Sequence, residues 1–382
     1  MASDGENNAL LLKEILQSNH RFSRDIYNIL ANDNQDVIFS PISLQVALLL
    51  TLSGAHGTTA QEMKASLNLS KEKEEILQGA HLLLENLKNP NLKIASQIFI
   101  EQQYKIKDTY ENLVKKYLKS SFEAVDFKKS ADKATETINS WVSEKTEKKI
   151  PNLIPAGLLD EFTRLVLVNA VHFKDEWRTK FSENETYDEP FYSAKDSHVV
   201  VPMMHVNKKY RYLEEDTYQV LEIPYKNEDF RLLILLPKQI EGLRQLEEKL
   251  SEIQFCQIFY HLETRKVNLT LPKFKMEQFT DMKAVLKKLG METMFGNSAD
   301  FSEMYADGEE SLCVSDVLHK AVLEINEEGS EAAAATAVMM MVRMCAPMVE
   351  DEEPVDFKVD HPFMFLILHR STILFMGKKS VV

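Results

Sequence analysis

The sequence predicts an α+β fold built as one large domain over residues 1–382, and three observations carry that reading. Apolar residues recur with both the helical and the strand period, but without the regular strand–helix–strand rhythm of a doubly wound sheet. One run, Thr163 to Phe173, is almost continuously apolar, the mark of a strand covered on both faces and therefore central to its sheet. No internal repeat and no Pro/Gly/Ser-rich linker interrupts the chain.

Each element has its own signal. Leu11, Leu12, Ile15, Leu16, Phe22, Ile26, Ile29 and Leu30 fall at helical spacing, so the N-terminus reads as an amphipathic helix. It does not read as a signal peptide, because Asp4 and Glu6 precede only a three-leucine run and a positive n-region is lacking. From Leu92 to Trp177 the pattern changes repeatedly. LKIASQIFI is strand-like, Asp108 to Lys119 helical, FEAVDF strand-like and Asp132 to Thr146 helical, and the central strand follows. From Tyr187 to Pro237 the chain is mainly strand, with HVVVPMM, YQVLEIPY and FRLLILLP the clearest pieces. Helical patterns return at Gly242 to Phe259 and at Asp281 to Leu289.

Composition removes several function classes. With 59 acidic against 45 basic residues the formal charge is -14, which argues against a nucleic-acid surface. No run approaches the 18 or so apolar residues of a membrane helix, so no membrane partner is expected. Cys256, Cys313 and Cys345 form no CxxC pair, so neither a disulfide framework nor a structural zinc site is encoded. The eleven glycines never fall two apart, GxSxG and GxxxxGK[ST] are missing, and no histidine is followed by glutamate. His198 and His205, seven apart in a strand-rich stretch, do not have metal-ligand spacing. No enzyme activity, no metal and no required cofactor are expected.

One stretch resists ordinary accounting. Glu327-Glu328-Gly329-Ser330-Glu331-Ala332-Ala333-Ala334-Ala335-Thr336-Ala337-Val338-Met339-Met340-Met341-Val342-Arg343-Met344-Cys345-Ala346-Pro347, closed by acidic Glu350 to Glu353, lies between two strong strands. On propensity alone Ala332 to Met341 is a small-residue helix. The glutamate pair, glycine, hydroxyl residue, glutamate and alanine run closely resemble the reactive-loop hinge of the serpins. Further motifs agree along the chain: Ile38-Phe39-Ser40-Pro41-Ile42-Ser43, Leu167-Val168-Asn169-Ala170-Val171-His172-Phe173-Lys174-Asp175-Glu176-Trp177, Leu318-His319-Lys320-Ala321, Asp360-His361-Pro362-Phe363 and Phe375-Met376-Gly377-Lys378. The resemblance implies three β-sheets, eight or nine helices and an exposed reactive-centre loop at about 327–354. It is a resemblance to inhibitory members with an arginine reactive centre, such as secreted invertebrate serpins.

What the resemblance implies can be tested against the residues. Inhibitory serpins insert the cleaved loop as an extra strand of the main sheet, dragging the acylated protease with them. In such a strand Ser330, Ala332, Ala334, Thr336, Val338 and Met340 would share one face and Glu331, Ala333, Ala335, Ala337, Met339 and Met341 the other. No proline interrupts Ser330 to Cys345, so every amide can join a ladder, and only small residues follow the hinge on the first face. The acyl-side residue of the reactive bond usually lies fourteen beyond the hinge glycine, which from Gly329 gives Arg343, the only basic residue of the loop. Arginine offers bidentate pairing to the carboxylate at the base of a trypsin-like pocket. The expected function is therefore suicide inhibition of trypsin-like serine proteases, in a covalent 1:1 complex formed at Arg343–Met344, restraining an extracellular proteolytic cascade. A shorter or longer loop would make Met341, Val342 or Met344 the bait and favour chymotrypsin- or elastase-like targets. A non-inhibitory carrier or chaperone is the reading from another class.

The resemblance also assigns supporting positions. Ser40, Ser43, Asn169 and His319 match a polar cluster beneath the main sheet, and Trp177 the point where the loop first enters. Asn68, Asn184 and Asn268 begin glycosylation triplets and favour an extracellular protein whose signal has been removed. Free Cys345 beside the reactive bond would suit the cytoplasmic alternative. Lys115-Lys116, Lys128-Lys129 and Lys148-Lys149 are candidates for a heparin-like glycosaminoglycan activator, though solvated helix faces account for them too. The protein is expected to be a monomer.

Overall fold

The computed structural model describes residues 2–31, 35–253, 255–306, 311–330 and 353–381. They fall into two compact units. The first comprises Met1–Phe173, Met276–Val322 and Leu366–Gly377, the second Lys174–Lys275, Leu323–Phe365 and Lys378–Val382. Among the described residues there are nine α-helices with multiple β-sheets, the α+β architecture that the sequence predicts.

In the first unit the amphipathic helix Ala2–Leu30 buries Leu11, Ile15, Phe22 and Ile26. Helix Pro41–Gly54 is buried all round; Ser40 caps it, accepting from the Ser43 N–H at 3.4 Å, and Pro41 occupies its first turn, where no amide donor is needed. Helix Phe127–Lys145 follows. The stretch beyond a kink at Ser130 is the helix expected from Asp132, and a short helical segment starting at Phe127 precedes it. The Asp126 carboxylate caps the Lys129 N–H at 2.9 Å, and Glu101 accepts from the N–H groups of Phe127 and Lys128. Ser130 then leaves helical geometry and kinks it.

That helix covers the sheet that matters for function. Strand Phe122–Val125 lies beside Leu92–Glu101, then comes Leu165–Phe173, then Asp316–Ile325, with Phe274–Asp281 pairing to the far side of the last. Leu165–Phe173 is buried along its whole length, as its unbroken apolar run requires. It pairs antiparallel with Leu92–Glu101 but parallel with its other neighbour, Asp316 to Val322 lying opposite Val166 to His172. Ile138 and Val142 of the covering helix, with Ile150, Leu153 and Ile154 after it, pack on Val166, Val168, Ala170 and Leu318.

In the second unit Phe230–Pro237, Tyr218–Pro224, Ser197–Glu214, Glu263–Pro272 and Val355–Lys358 lie side by side in that order. Thr186–Ala194 pairs with the first half of the 18-residue Ser197–Glu214, so this one strand serves two groups of neighbours. The helical pattern expected over Gly242 to Phe259 is two short helices, Leu243–Glu248 and Phe255–His261, with a 3-10 turn at Lys249–Ser251 between.

Candidate functional site

Glu331, Ala332, Ala333, Ala334, Ala335, Met341, Arg343 and Met344 lie outside the described residues. The site that can be built has two parts, one in each unit.

The first part is the seam between Leu165–Phe173 and Asp316–Ile325. Asn169 and His319 are register partners across it, and His319 donates from Nδ1 to Asn169 Oδ1 at 2.6 Å. The direction follows from the other ring nitrogen, since Nε2 accepts the Ser40 backbone N–H at 3.0 Å and so carries no proton. Asn169 Oδ1 also accepts from Ser43 Oγ at 2.7 Å, and its Nδ2 donates to Ser96 Oγ at 2.7 Å. All four residues matched by resemblance therefore meet in one network, which Ser96 completes. Burial pushes the His319 pKa down to about 3, so the ring stays neutral.

The second part is the hinge. After Ile325 the chain reverses through Asn326 to Glu328 and returns as Gly329–Ser330, which pairs with Asp175–Glu176. Ser330 is thus flanked by Ile325 on one side and Asp175 on the other, antiparallel to both. The Asn326 carboxamide accepts from the N–H groups of Glu328 (3.0 Å) and Gly329 (3.2 Å), which closes the turn. Gly329 has φ 152°, and a Cβ there would lie 2.1 Å from the Asp175 carbonyl oxygen, so no other residue fits without displacement.

Side chains fix the hinge at four points. The Ser330 hydroxyl is 2.6 Å from the buried Tyr225 hydroxyl, and Tyr225 stacks on Trp177 at 4.5 Å. Trp177 donates its indole N–H to the Asn326 carbonyl at 2.8 Å and its backbone N–H to that of Glu328 at 2.8 Å. Glu327, 6% exposed, pairs with Lys273 at 2.8 Å and accepts from the Thr186 hydroxyl at 2.9 Å. Burial works against the charge, but the hydrogen bonds from Lys273 and Thr186 hold the Glu327 carboxyl below its usual range. Glu328 pairs with Lys180. Burial drives the Tyr225 phenol far above its usual range, so it is a neutral partner for Ser330.

Sequence reasoning singled out Trp177 and the hinge residues but not Tyr225, Lys273, Thr186, Asn326 or Ser96. Each is an ordinary strand or turn residue whose role appears only when a distant strand lies beside it. Of the three glycosylation triplets, Asn184 is exposed in the 3-10 turn Glu183–Glu185. The amide of Asn68 donates to Asp25 at 3.1 Å and that of Asn268 to Asp356 at 2.8 Å. Of the lysine pairs, Lys115 is paired with Glu111 and Lys116 donates to Tyr117 at 2.9 Å. Lys148 shares an open cleft of about 490 Å³ with Glu136 and Glu144.

Comparison with known proteins gives a consistent result. The family model described as serpin (serine protease inhibitor) matches residues 17–381. Serpin B3 of Homo sapiens is 36% identical over 395 residues, covering 97% of this chain and 100% of that protein. Leukocyte elastase inhibitor of Sus scrofa is 37% identical over 387 residues, covering 97% and 100%. Among solved structures, Serpin48, a highly specific serpin of the insect Tenebrio molitor, superposes with a TM-score of 0.87 at 32% identity, covering 97% of this chain and 98% of that one.

Proposed function

The chain belongs to the serpin family, and from that premise we propose that it is a suicide-substrate inhibitor of trypsin-like serine proteases, attacked at Arg343–Met344. One observation carries the proposal. Val166 to His172 pairs directly and in parallel with Asp316 to Val322, while Ser330, paired antiparallel to the last residue of that same strand, has already turned back. A chain continuing in the direction of Ser330 would run antiparallel to both strands. It would replace one parallel ladder by two antiparallel ladders, the more stable pairing per residue.

The chemistry belongs to the protease. Its serine attacks the Arg343 carbonyl, the bond to Met344 breaks, and the Met344 amine leaves while Arg343 remains as an ester on the serine. The guanidinium pairs with the carboxylate at the base of the specificity pocket. Insertion of the thirteen residues that follow Ser330, at ~3.3 Å each, then carries the ester about 40 Å from the hinge. Drawn away from its bound partners, the acyl group loses the alignment and oxyanion stabilisation that hydrolysis needs. The serpin side supplies no acid or base; it supplies the hinge and the seam. An extracellular setting suits the reading, with Asn184 exposed for modification.

The test is to mix the protein with trypsin and run a denaturing gel beside Arg343→Ala. A band of inhibitor plus protease that survives denaturation and vanishes in the variant supports both the trap and its register. Cleavage to a lower band with no complex sinks the inhibitory reading for this protease class.

A further inference from the structure

The second unit holds a cleft of about 300 Å³ that no hinge residue lines. It lies between the turn joining Ser197–Glu214 to Tyr218–Pro224 and the segment from Lys249 to His261. Backbone bonds fix both walls. The Glu215 N–H donates to the Tyr218 carbonyl and the Lys238 N–H to the Thr217 carbonyl, each at 2.9 Å, which sets the turn. On the other side the Glu252 and Ile253 N–H groups both donate to the Lys249 carbonyl, at 2.9 and 3.3 Å. The cleft is therefore formed before anything enters it, as ligand sites usually are.

Its lining has two chemical halves. Leu213, Ile253 and the buried Ile258 supply apolar surface, and Tyr218 adds a half-buried ring whose hydroxyl has no hydrogen-bond partner among the described residues. Burial and the neighbouring Glu215 charge both raise the Tyr218 phenol, so it stays neutral and can donate. Glu215, Asp216 and Glu252 stand exposed around these residues. Among the described residues none of the three is in an ion pair, whereas Glu214, next to Glu215, is held by Lys238 at 2.7 Å. Against the three carboxylates the cleft sets one lysine, Lys249, and one histidine, His261.

Such a cleft selects by charge and by size. An anion would meet the carboxylates, and an uncharged apolar molecule would take water from them without replacing it. An ammonium group on a short apolar body satisfies both halves, since charge-assisted hydrogen bonds to carboxylates are the strong ones. A volume of about 300 Å³ is at the small end of ligand pockets, room for one ring system rather than a length of peptide. We propose that this cleft binds a small aromatic amine, its ring against Leu213, Tyr218 and Ile258 and its ammonium group among Glu215, Asp216 and Glu252. This is a second binding function, and it does not depend on the inhibitory reading above.

Tryptamine is the probe, followed by equilibrium dialysis against the full chain at low salt. Two relatives of it separate the halves of the site: indole-3-propionate keeps the ring and reverses the charge, and ethylamine keeps the charge without the ring. Tryptamine is expected to saturate one site and to bind at least about tenfold more tightly than either. Glu215→Gln/Asp216→Asn should weaken it at least about fivefold. Asp132→Asn/Glu136→Gln, which removes two exposed carboxylates from the first unit, should leave it within about twofold of wild type. The two variants have the same net charge, so the comparison separates the cleft from the overall charge of -14. Equal melting temperatures would show that both are folded, as their exposed positions lead one to expect. Absence of saturable tryptamine binding overturns the proposal, and so does ethylamine binding as tightly as tryptamine. Wild-type affinity in the Glu215→Gln/Asp216→Asn variant would place the amine elsewhere, and an equal loss in both variants would assign it to diffuse charge; either result also overturns the proposal. Complex formation with trypsin is scored separately and bears on the inhibitory reading alone.

Discussion

Asn169 and His319 lie opposite each other across the central seam and are joined by a 2.6 Å hydrogen bond from imidazole Nδ1 to amide Oδ1. The bond sits between the two strands that an inserted loop would have to part, and both residues are fully buried. The seam is therefore held by a polar contact as well as by its backbone ladder.

Asn169→Ala tests how much that contact holds. It strands the His319 Nδ1–H and takes from Ser96 the donor it now accepts, at a fully buried site. A loss of about 2–4 kcal/mol is expected. The urea midpoint should fall accordingly, and a shift equivalent to less than about 0.5 kcal/mol would show that the network does not restrain the seam.

The neutral ring makes a pH prediction. The folded-state pKa of His319 lies near 3, below the ordinary 6.5, so the unfolded chain binds the proton more readily. Stability is therefore complete above about pH 6.5 and is lost as pH falls towards 3. Burial lowers His20 in the same direction, so it adds to the slope. His319→Gln should show a shallower loss of melting temperature between pH 6.5 and 4 than wild type, although it is less stable at pH 7.5. Parallel pH profiles would contradict the assignment.

Gly329→Ala should unseat the hinge. Its Cβ would lie 2.1 Å from the Asp175 carbonyl oxygen at a φ of 152°, so the backbone has to move and Ser330 loses Tyr225. A destabilisation above about 2 kcal/mol is expected, against about 1 kcal/mol for Tyr225→Phe, which removes only the hydrogen bond. Equal effects from the two variants would mean that the close approach at Gly329 is relieved at no cost.

Glu327 and Lys273 should be coupled. A double-mutant cycle with Glu327→Gln and Lys273→Met is expected to give about 1 kcal/mol at pH 7. Because the folded carboxyl titrates below the usual 4.5, this stability is present above that value and lost as pH falls through the lowered one. Coupling that persists undiminished at pH 3 would assign it to packing rather than charge.

Much of the fold was legible because single elements announce themselves. The unbroken run from Leu165 to Phe173 is a strand buried on both faces, and Leu11, Ile15, Phe22 and Ile26 form the buried stripe of the first helix. The boundaries that were missed depend on distant groups. The short helical segment at Phe127, ahead of the Ser130 kink, starts where the Glu101 carboxylate meets its first amides, and no local pattern could report that, whereas the helix beyond the kink begins beside Asp132 as its pattern predicts. In the hinge, the glycine was visible as part of a motif, whereas the close approach of the Asp175 carbonyl that demands it was not.

By itself the sequence determined the element types, the family likeness, and a loop free of proline with one arginine fourteen residues beyond Gly329. Period, propensity and side-chain chemistry are local properties, and they are written in consecutive residues. Tertiary structure alone decided that His319 meets Asn169 across 150 residues of chain, that Ser330 finds Tyr225 across 105, and that Val166 to His172 runs parallel to Asp316 to Val322. Strand partners and their register are selected by which faces pack together and which buried polar groups find each other. Those are long-range choices that no window of the sequence contains.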